Sequence, residues 1–295
     1  MNAKERGFLL LTSQLGDPER KPLTVPQFRI LAGRVRQMEK PHLMRELTPE
    51  DLVGLGYDRS MAFRIVQLLA DEGCLAHYLR HGQLRDCIPI SRISTAYPAA
   101  VRQRLGLDAP GCLWAKGDIS LLGSQMISLV GSRELAEPNR MFAQQVGMEA
   151  ARQGITLVSG NARGADREAQ EACLDAGGRV IGVVADELEK YPLRKNVLYL
   201  SEDSFDVQFS SQRALSRNRI IHALGYLTLV AQSEIGTGGT WDGAVKNLRN
   251  HWSPVFCFDD GSLPSVELEQ LGATLITTKQ LSDLSVLRAN IELLL

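Results

Sequence analysis

The sequence predicts an α/β fold: an open, doubly wound, mainly parallel sheet preceded by a small helical domain. Three observations predict it. From Ile127 onward, short apolar runs alternate with segments of helical period. Before about residue 85 the periodicity is helical throughout, with no strand-like run. At 295 residues the chain has room for two domains of ordinary size. We place the helical domain at 1–87 and the sheet domain at 88–295.

The helical part is read first. Phe8–Leu11 is an apolar run closed by Thr12, Ser13 and Gln14, too short for a secretory core of ~7–15 apolar residues. Pro26 to Leu31 opens a helix with proline in its first turn. At Thr48-Pro49-Glu50-Asp51 a capping hydroxyl is followed by acids that suit a helix N-terminus. Leu52, Leu55, Phe63, Ile65, Val66 and Leu69 supply apolar positions for two short helices broken at Gly54-Leu55-Gly56. Such a pair around a glycine turn resembles a helix-hairpin-helix or SAM-like module, and is equally the pattern of a plain helical packing domain. Residues 88–125, with Pro89, Pro98 and Pro110, read as an irregular connector.

The strands are placed at Ile127–Val130, Ile155–Ser159, Val180–Val184, Val197–Leu200, Tyr226–Ala231, Val255–Phe258 and Ala273–Ile276. Each is apolar on both faces, as strands covered by helices on both sides must be. Helices are expected over Arg140–Gln153, Ala165–Ala176 and Thr240–Asn250, with another opened by Ser216. Alternating β and α segments wind into a parallel sheet, whose ligands sit beyond the C-terminal ends of the strands.

Those strand ends carry the candidate chemistry. Gly131-Ser132-Arg133 follows the first strand with a tight turn, a hydroxyl and a guanidinium. Gly160-Asn161-Ala162-Arg163-Gly164 follows the second; Asp166 just after it suits a helix-start cap better than catalysis. Arg213, Arg217 and Arg219 fall in one short stretch with Asn218. Residues two apart diverge on a helix, so of Arg217 and Arg219 one faces the cleft and the other solvent or an acid. Gly236-Thr237-Gly238-Gly239-Thr240 is a hydroxyl-bearing glycine loop that can cradle phosphate. Loops of this kind, carrying Arg133, Arg163 and Arg219 and no evident acid–base pair, suit a phosphodiester chain or nucleotide rather than bond cleavage.

Composition bounds the alternatives. Hydrophobic residues at 44% and charged residues at 23% exclude disorder, collagen and coiled coil. Lys+Arg 33 against Asp+Glu 34 leaves a net charge of −1, which excludes a uniformly basic coat but not a local basic cleft. With acids placed elsewhere, as in Glu187–Glu189 and Glu267–Glu269, a positive pocket is expected. No apolar stretch reaches the ~20 residues of a membrane span. Cys74, Cys87, Cys112, Cys173 and Cys257 are dispersed and odd in number, which fits buried reduced thiols in a cytoplasmic protein. His42, His77, His81, His222 and His251 have no metal-ligand spacing, and no hydrolase or Walker motif is present. We therefore expect no metal, no cofactor and no enzyme activity.

The order of these motifs resembles the DNA-processing protein family called DprA or Smf. It runs from Tyr97-Pro98 through Leu113–Asp118, Ile127–Arg133, Val158–Asp166 and Tyr191-Pro192 to Arg217–Ile221 and Gly236–Thr240, across roughly residues 88–260. The resemblance implies an extended Rossmann-like domain after a SAM-like one, single-stranded DNA binding, loading of a RecA-type recombinase in recombination or natural transformation, and a homodimer. Carried over motif by motif, it implies a DNA site of Gly131, Ser132, Arg133, Gly160, Arg163, Gly164, Lys195, Arg217, Asn218, Arg219, Gly238, Gly239 and Thr240. The chain departs from the family pattern at 194–200, where Tyr-Pro passes almost directly into a strand; at Ala165, usually isoleucine; and in stopping at Leu295 without a winged-helix segment. Two other readings compete. One is a nucleotide sensor or nucleoside-monophosphate hydrolase of the lysine-decarboxylase-like group, with Asp242 or Glu234 as its acid. The other is a partner-capture protein acting through the helical segment.

Overall fold

A computed structural model describes residues 1–38 and 46–287. The chain forms two compact units, Met1–Tyr97 with Pro110–Leu113, and Pro98–Ala109 with Trp114–Leu295.

The first unit contains α1 (Ala3–Thr12), α2 (Val25–Val35), α3 (Pro49–Gly54), α4 (Arg59–Ala70), α5 (Glu72–Gln83) and β1 (Cys87–Ser91). Asn2 with Glu5, Thr24 with Gln27 and Thr48 with Asp51 form reciprocal capping boxes at α1, α2 and α3. Asp58 caps α4 through the Met61 N–H at 2.8 Å. Leu11, Leu23, Leu31, Leu52, Ala62, Ile65 and Leu68 make the core. Phe63, expected to pack, is 55% exposed, because Ala62 and Ile65 already hold the inward face of α4.

The second unit carries a sheet in the order β2-β6-β5-β4-β3-β7-β8-β9. Its strands are β2 (Cys112–Gly117, in this unit from Trp114 onward), β3 (Met126–Val130), β4 (Thr156–Ser159), β5 (Arg179–Val183), β6 (Val197–Ser201), β7 (Thr228–Val230), β8 (Val255–Phe258) and β9 (Thr274–Ile276). All neighbouring pairs from β6 to β9 run parallel. β2 is antiparallel to β6, with Trp114 opposite Ser201. The helices are α6 (Ala99–Leu105), α7 (Glu137–Arg152), α8 (Ala165–Asp175), α9 (Ser211–Leu224), α10 (Gly238–Asn250) and α11 (Leu263–Gln270). The connector expected over 88–125 is therefore corrected: it contains β1, α6 and β2. Pro89 and Lys116 disguise these strands; Lys116 is buried and donates from Nζ to the Glu189 carbonyl at 2.8 Å.

Helices cover both faces of the sheet. Ile127 and Leu129 of β3 pack with Phe142 and Val146 of α7. The intervening Ser128 points the other way and donates its Oγ–H to the Ile221 carbonyl of α9 at 2.5 Å. Behind α9, a buried polar knot joins three elements. His222 Nδ1 lies 3.2 Å from Thr228 Oγ1 and 3.1 Å from Asn247 Nδ2, and Asn247 Oδ1 accepts from the Ser253 N–H at 2.9 Å. Full burial pushes the His222 imidazole down to about 3.

Cys87, Cys173 and Cys257 are buried, Cys112 is half-buried and Cys74 is exposed, which corrects the expectation of five buried thiols. Burial pushes the Cys112 and Cys257 thiols up to about 12, leaving them unreactive. Among the described residues no helix is long and apolar enough to cross a membrane, and no group of three His, Cys, Asp or Glu could hold a metal ion. His42 lies outside those residues.

Phe142 is fully buried, and its ring stacks on Phe258 at 4.5 Å. Phe142→Ala should cost ~3–5 kcal/mol, read by chemical denaturation. A loss under 1 kcal/mol would show that α7 is not anchored through this ring.

Candidate nucleic-acid interface

The winding of the sheet creates the site. From β3 the chain steps outward through β4 and β5 to β6, then returns to the other side of β3 for β7, β8 and β9. The reversal lies between β3 and β7, where loops leave in opposite directions and a cleft must open at the C-terminal ends. There the structure has a cavity of about 910 Å³. Its walls come from the loops after β3, β4 and β7 and the first turns of α9.

Nine of the thirteen predicted site residues line this cavity: Gly131, Ser132, Arg133, Arg163, Arg217, Asn218, Gly238, Gly239 and Thr240. Asn218 also donates from Nδ2 to the Gly239 carbonyl at 3.0 Å, fastening α9 to the glycine loop. Gly160 and Gly164 serve the site through backbone packing. A Cβ at Gly160 would stand 1.7 Å from Arg217 Nη1, so only glycine leaves the guanidinium its seat. At Gly164, φ is +85° and a Cβ would meet the Ser132 carbonyl at 2.4 Å. The Ala165 N–H donates to that same carbonyl at 3.1 Å, locking the loops after β3 and β4 together.

Two predicted residues lie elsewhere. Arg219 is corrected: it grips the buried Glu202 with both terminal nitrogens, Nη1 at 3.1 Å and Nη2 at 2.5 Å, and Nε donates to the Asp108 carbonyl at 3.2 Å. Arg217 and Arg219 do diverge as their spacing requires, with Arg217 as the cleft residue. Lys195 is corrected too. β5 and β6 are parallel, Val180 pairs with Val197, and the Val180 N–H donates to the Asn196 carbonyl at 2.9 Å. Lys195 thus sits at the N-terminal ends of the strands, away from the cleft. Arg213 is structural as well: it pairs with Asp203 at 2.5 Å and donates to the Ala185 carbonyl at 3.0 Å.

Arg217 is the central group. Only 7% of it is exposed, and its Nε has no hydrogen-bond partner. Burial lowers its pKa, against the pull of Asp166. A buried guanidinium nitrogen without a hydrogen bond is costly, and an anion in the cleft would offset the charge of the group that carries it. Asp166 is buried opposite. It accepts the Ala162 N–H at 3.1 Å, so it braces the loop ahead of α8, and Gly164 holds the N-cap position. Burial pushes its carboxyl up to about 6, opposed by Arg217 and the amides of Ala162 and Gly160. Arg133 is exposed at the rim, and Arg163 pairs with Glu134 at 3.0 Å.

The expectation of a positive pocket with the acids elsewhere is also corrected. Arg133, Arg163, Arg217 and Lys246 line the cavity together with Glu134, Asp166, Glu234 and Asp242, four cations against four acids. Lys246 escaped the sequence reading; its signal was the i,i+4 spacing from Asp242, to which it pairs at 2.7 Å. The site therefore carries an opposed pair at its floor, Arg217 against Asp166, and mixed charge along its walls.

A doubly wound, mainly parallel sheet with a cleft of glycine loops and arginines at its switch point defines a Rossmann-like protein class. The comparisons narrow it. The family model described as DNA recombination-mediator protein A matches residues 89–283, and the chain belongs to that family. It is 31% identical over 216 residues to the DNA processing protein DprA of Bacillus subtilis (strain 168), covering 68% of this chain and 71% of that one. To DprA of Streptococcus pneumoniae it is 30% identical over 186 residues, covering 59% of this chain and 66% of that one. The crystal structure of S. pneumoniae DprA superposes with a TM-score of 0.71 at 23% identity, over 95% of this chain and 97% of that one. A Helicobacter pylori DprA structure, solved for its single-stranded DNA binding mode, gives 0.57 at 23% identity over 69% and 96%.

Gly160→Ala should leave the fold intact, since the clash is with the end of one side chain and not with backbone. It should weaken anion binding at the cleft ~10-fold, measured by titration with a short oligonucleotide. Unchanged affinity would mean that Arg217 is not held at the floor.

The pH dependence separates two of the buried ionisable groups, His222 and Asp166. His222 stays neutral in the fold but protonates near 6.5 when unfolded, so it adds stability above 6.5 that is lost as pH falls toward 3. Asp166, with a pKa raised from 3.8 to about 6, works oppositely: its contribution weakens as pH rises through that window. The wild type minus His222→Gln difference in unfolding free energy should therefore climb between pH 4 and 6.5, by up to ~1.4 kcal/mol per unit. A flat difference would mean that His222 titrates normally.

Proposed function

We propose that this chain binds single-stranded DNA in the β3–β7 cleft and helps a RecA-type recombinase load onto it, acting as a homodimer and as a binding protein without its own catalysis. One observation carries the reading: the Arg217 guanidinium, buried at the cleft floor with its Nε unpartnered, faces a cavity walled by glycine-bearing loops. A phosphate there would take hydrogen bonds from Arg217, from the Ser132 hydroxyl and from backbone N–H groups of the loops. Arg133 at the rim would meet the next phosphate. Family membership supports the same substrate class, as does the H. pylori relative's single-stranded DNA binding mode.

The walls favour binding over hydrolysis. Hydrolysis of a nucleotide needs a carboxylate free to act as base or nucleophile. Asp242 is engaged by Lys246, and Glu234 Oε2 accepts from the Thr237 hydroxyl at 3.3 Å. The mixed wall charge also limits the electrostatic footprint, so each protomer would hold a short stretch of strand.

Anisotropy titration of labelled oligothymidylate across salt tests the proposal. Binding should weaken with salt, with a log–log slope of ~−0.7 per phosphate contacted. Arg133→Ala should reduce the slope by about one contact. Arg219→Ala should leave DNA affinity nearly unchanged in the folded fraction while destabilising the fold, because Glu202 is left buried and unpaired. Salt-independent binding, or equal binding by Arg133→Ala, would remove this function.

A further inference from the structure

Beyond the main cleft lies a second, shallower hollow of about 330 Å³. Arg133, Glu134 and Arg163 belong to the walls of both, and Arg140 and Glu168 belong to the second alone. The wall they share is a ridge made by the interlocked loops after β3 and β4, fixed where Gly164 packs on the Ser132 and Arg133 carbonyls. Resting on the cleft being the DNA site, we propose that a strand leaving it crosses this ridge and lays its next phosphate in the second hollow, with Arg140 as an additional phosphate contact.

Charge favours this path. The second hollow presents Arg133, Arg140 and Arg163 against Glu134 and Glu168, three cations to two acids, whereas the main cavity is balanced. Its acids are engaged or displaceable. Glu168 accepts from Gln144 Nε2 at 2.7 Å. Arg163 and Glu134 pair while 72% and 86% exposed. Arg140 and Glu137 pair at 3.2 Å while 44% and 66% exposed. Such pairs contribute little, so a phosphate can replace either carboxylate. Arg133, on the crest, would bridge phosphates on its two sides. Arg140 is fixed by the fold: it sits one turn into α7, with Asn139 beside it buried and donating from Nδ2 to the Ala231 carbonyl at 2.8 Å. A cation on a fixed helix, one step beyond a shared arginine, is what a continuing backbone needs.

Oligomer length separates the two hollows. The full chain is titrated with labelled oligothymidylates of about 4 and about 12 nucleotides across potassium chloride concentrations, spanning one hollow or both. Arg140→Ala should weaken the longer oligomer ~3–10-fold at low salt, reduce its slope by ~0.7, and leave the shorter one unchanged. Arg140→Lys should restore the slope. Equal affinity of Arg140→Ala and wild type for the longer oligomer overturns this inference alone, as does an equal loss for both lengths. Failure of the wild type to bind either oligomer, or of Arg133→Ala to weaken binding, removes the cleft reading and this one with it.

Discussion

The site depends on one constraint, the burial of Arg217 beneath a cleft that offers its Nε no hydrogen bond. A guanidinium taken out of water costs several kcal/mol unless charge and hydrogen bonds replace its hydration. Here the protein supplies a facing carboxylate, Asp166, whose own burial weakens it as a partner. Neither group is fully satisfied by the other. Gly160 leaves room for the guanidinium, Gly164 lets the two loops close on each other, and Asn218 ties the glycine loop to the helix that carries Arg217. On the proposed function, that floor would be preorganised for a further anion beside Asp166.

On the proposed function, the same arrangement would let a nearly neutral protein address a polyanion. Arginines on α9 divide the work by direction. Arg213 and Arg219 turn away and hold the segment between β6 and α9 through Asp203 and Glu202, while Arg217 turns inward. Acids on the walls offset the remaining cations, so attraction is local rather than long-ranged. The backbone does part of what a basic surface would otherwise do, since loop amides and helix starts present donors without net charge.

The architecture was legible because it is written locally. Parallel strands buried on both faces must be short and apolar, and β3 to β9 stood out for that reason. Capping at Thr48 is likewise a matter of neighbours within one turn. β1 and β2 were hidden because Pro89 and Lys116 break the apolar pattern, and what permits them is distant: β2 pairs with β6, and Lys116 reaches the Glu189 carbonyl. The site followed the same division. Its glycines, hydroxyls and the divergence of Arg217 from Arg219 could be read from spacing. Which of the two arginines faced inward could not, because Glu202 and Asp108 decide it from other parts of the chain.

By itself, then, the sequence determined the α/β class, the strand ends that carry chemistry and the family motif order, all consequences of periodicity and near-neighbour geometry. Only the tertiary structure decided that Lys195 lies at the wrong end of the strands and that acids share the cleft walls with the arginines. It also decided that Asp166 braces a loop in front of a buried guanidinium. Those outcomes depend on strand order and on desolvation, which arise only once distant segments are packed together.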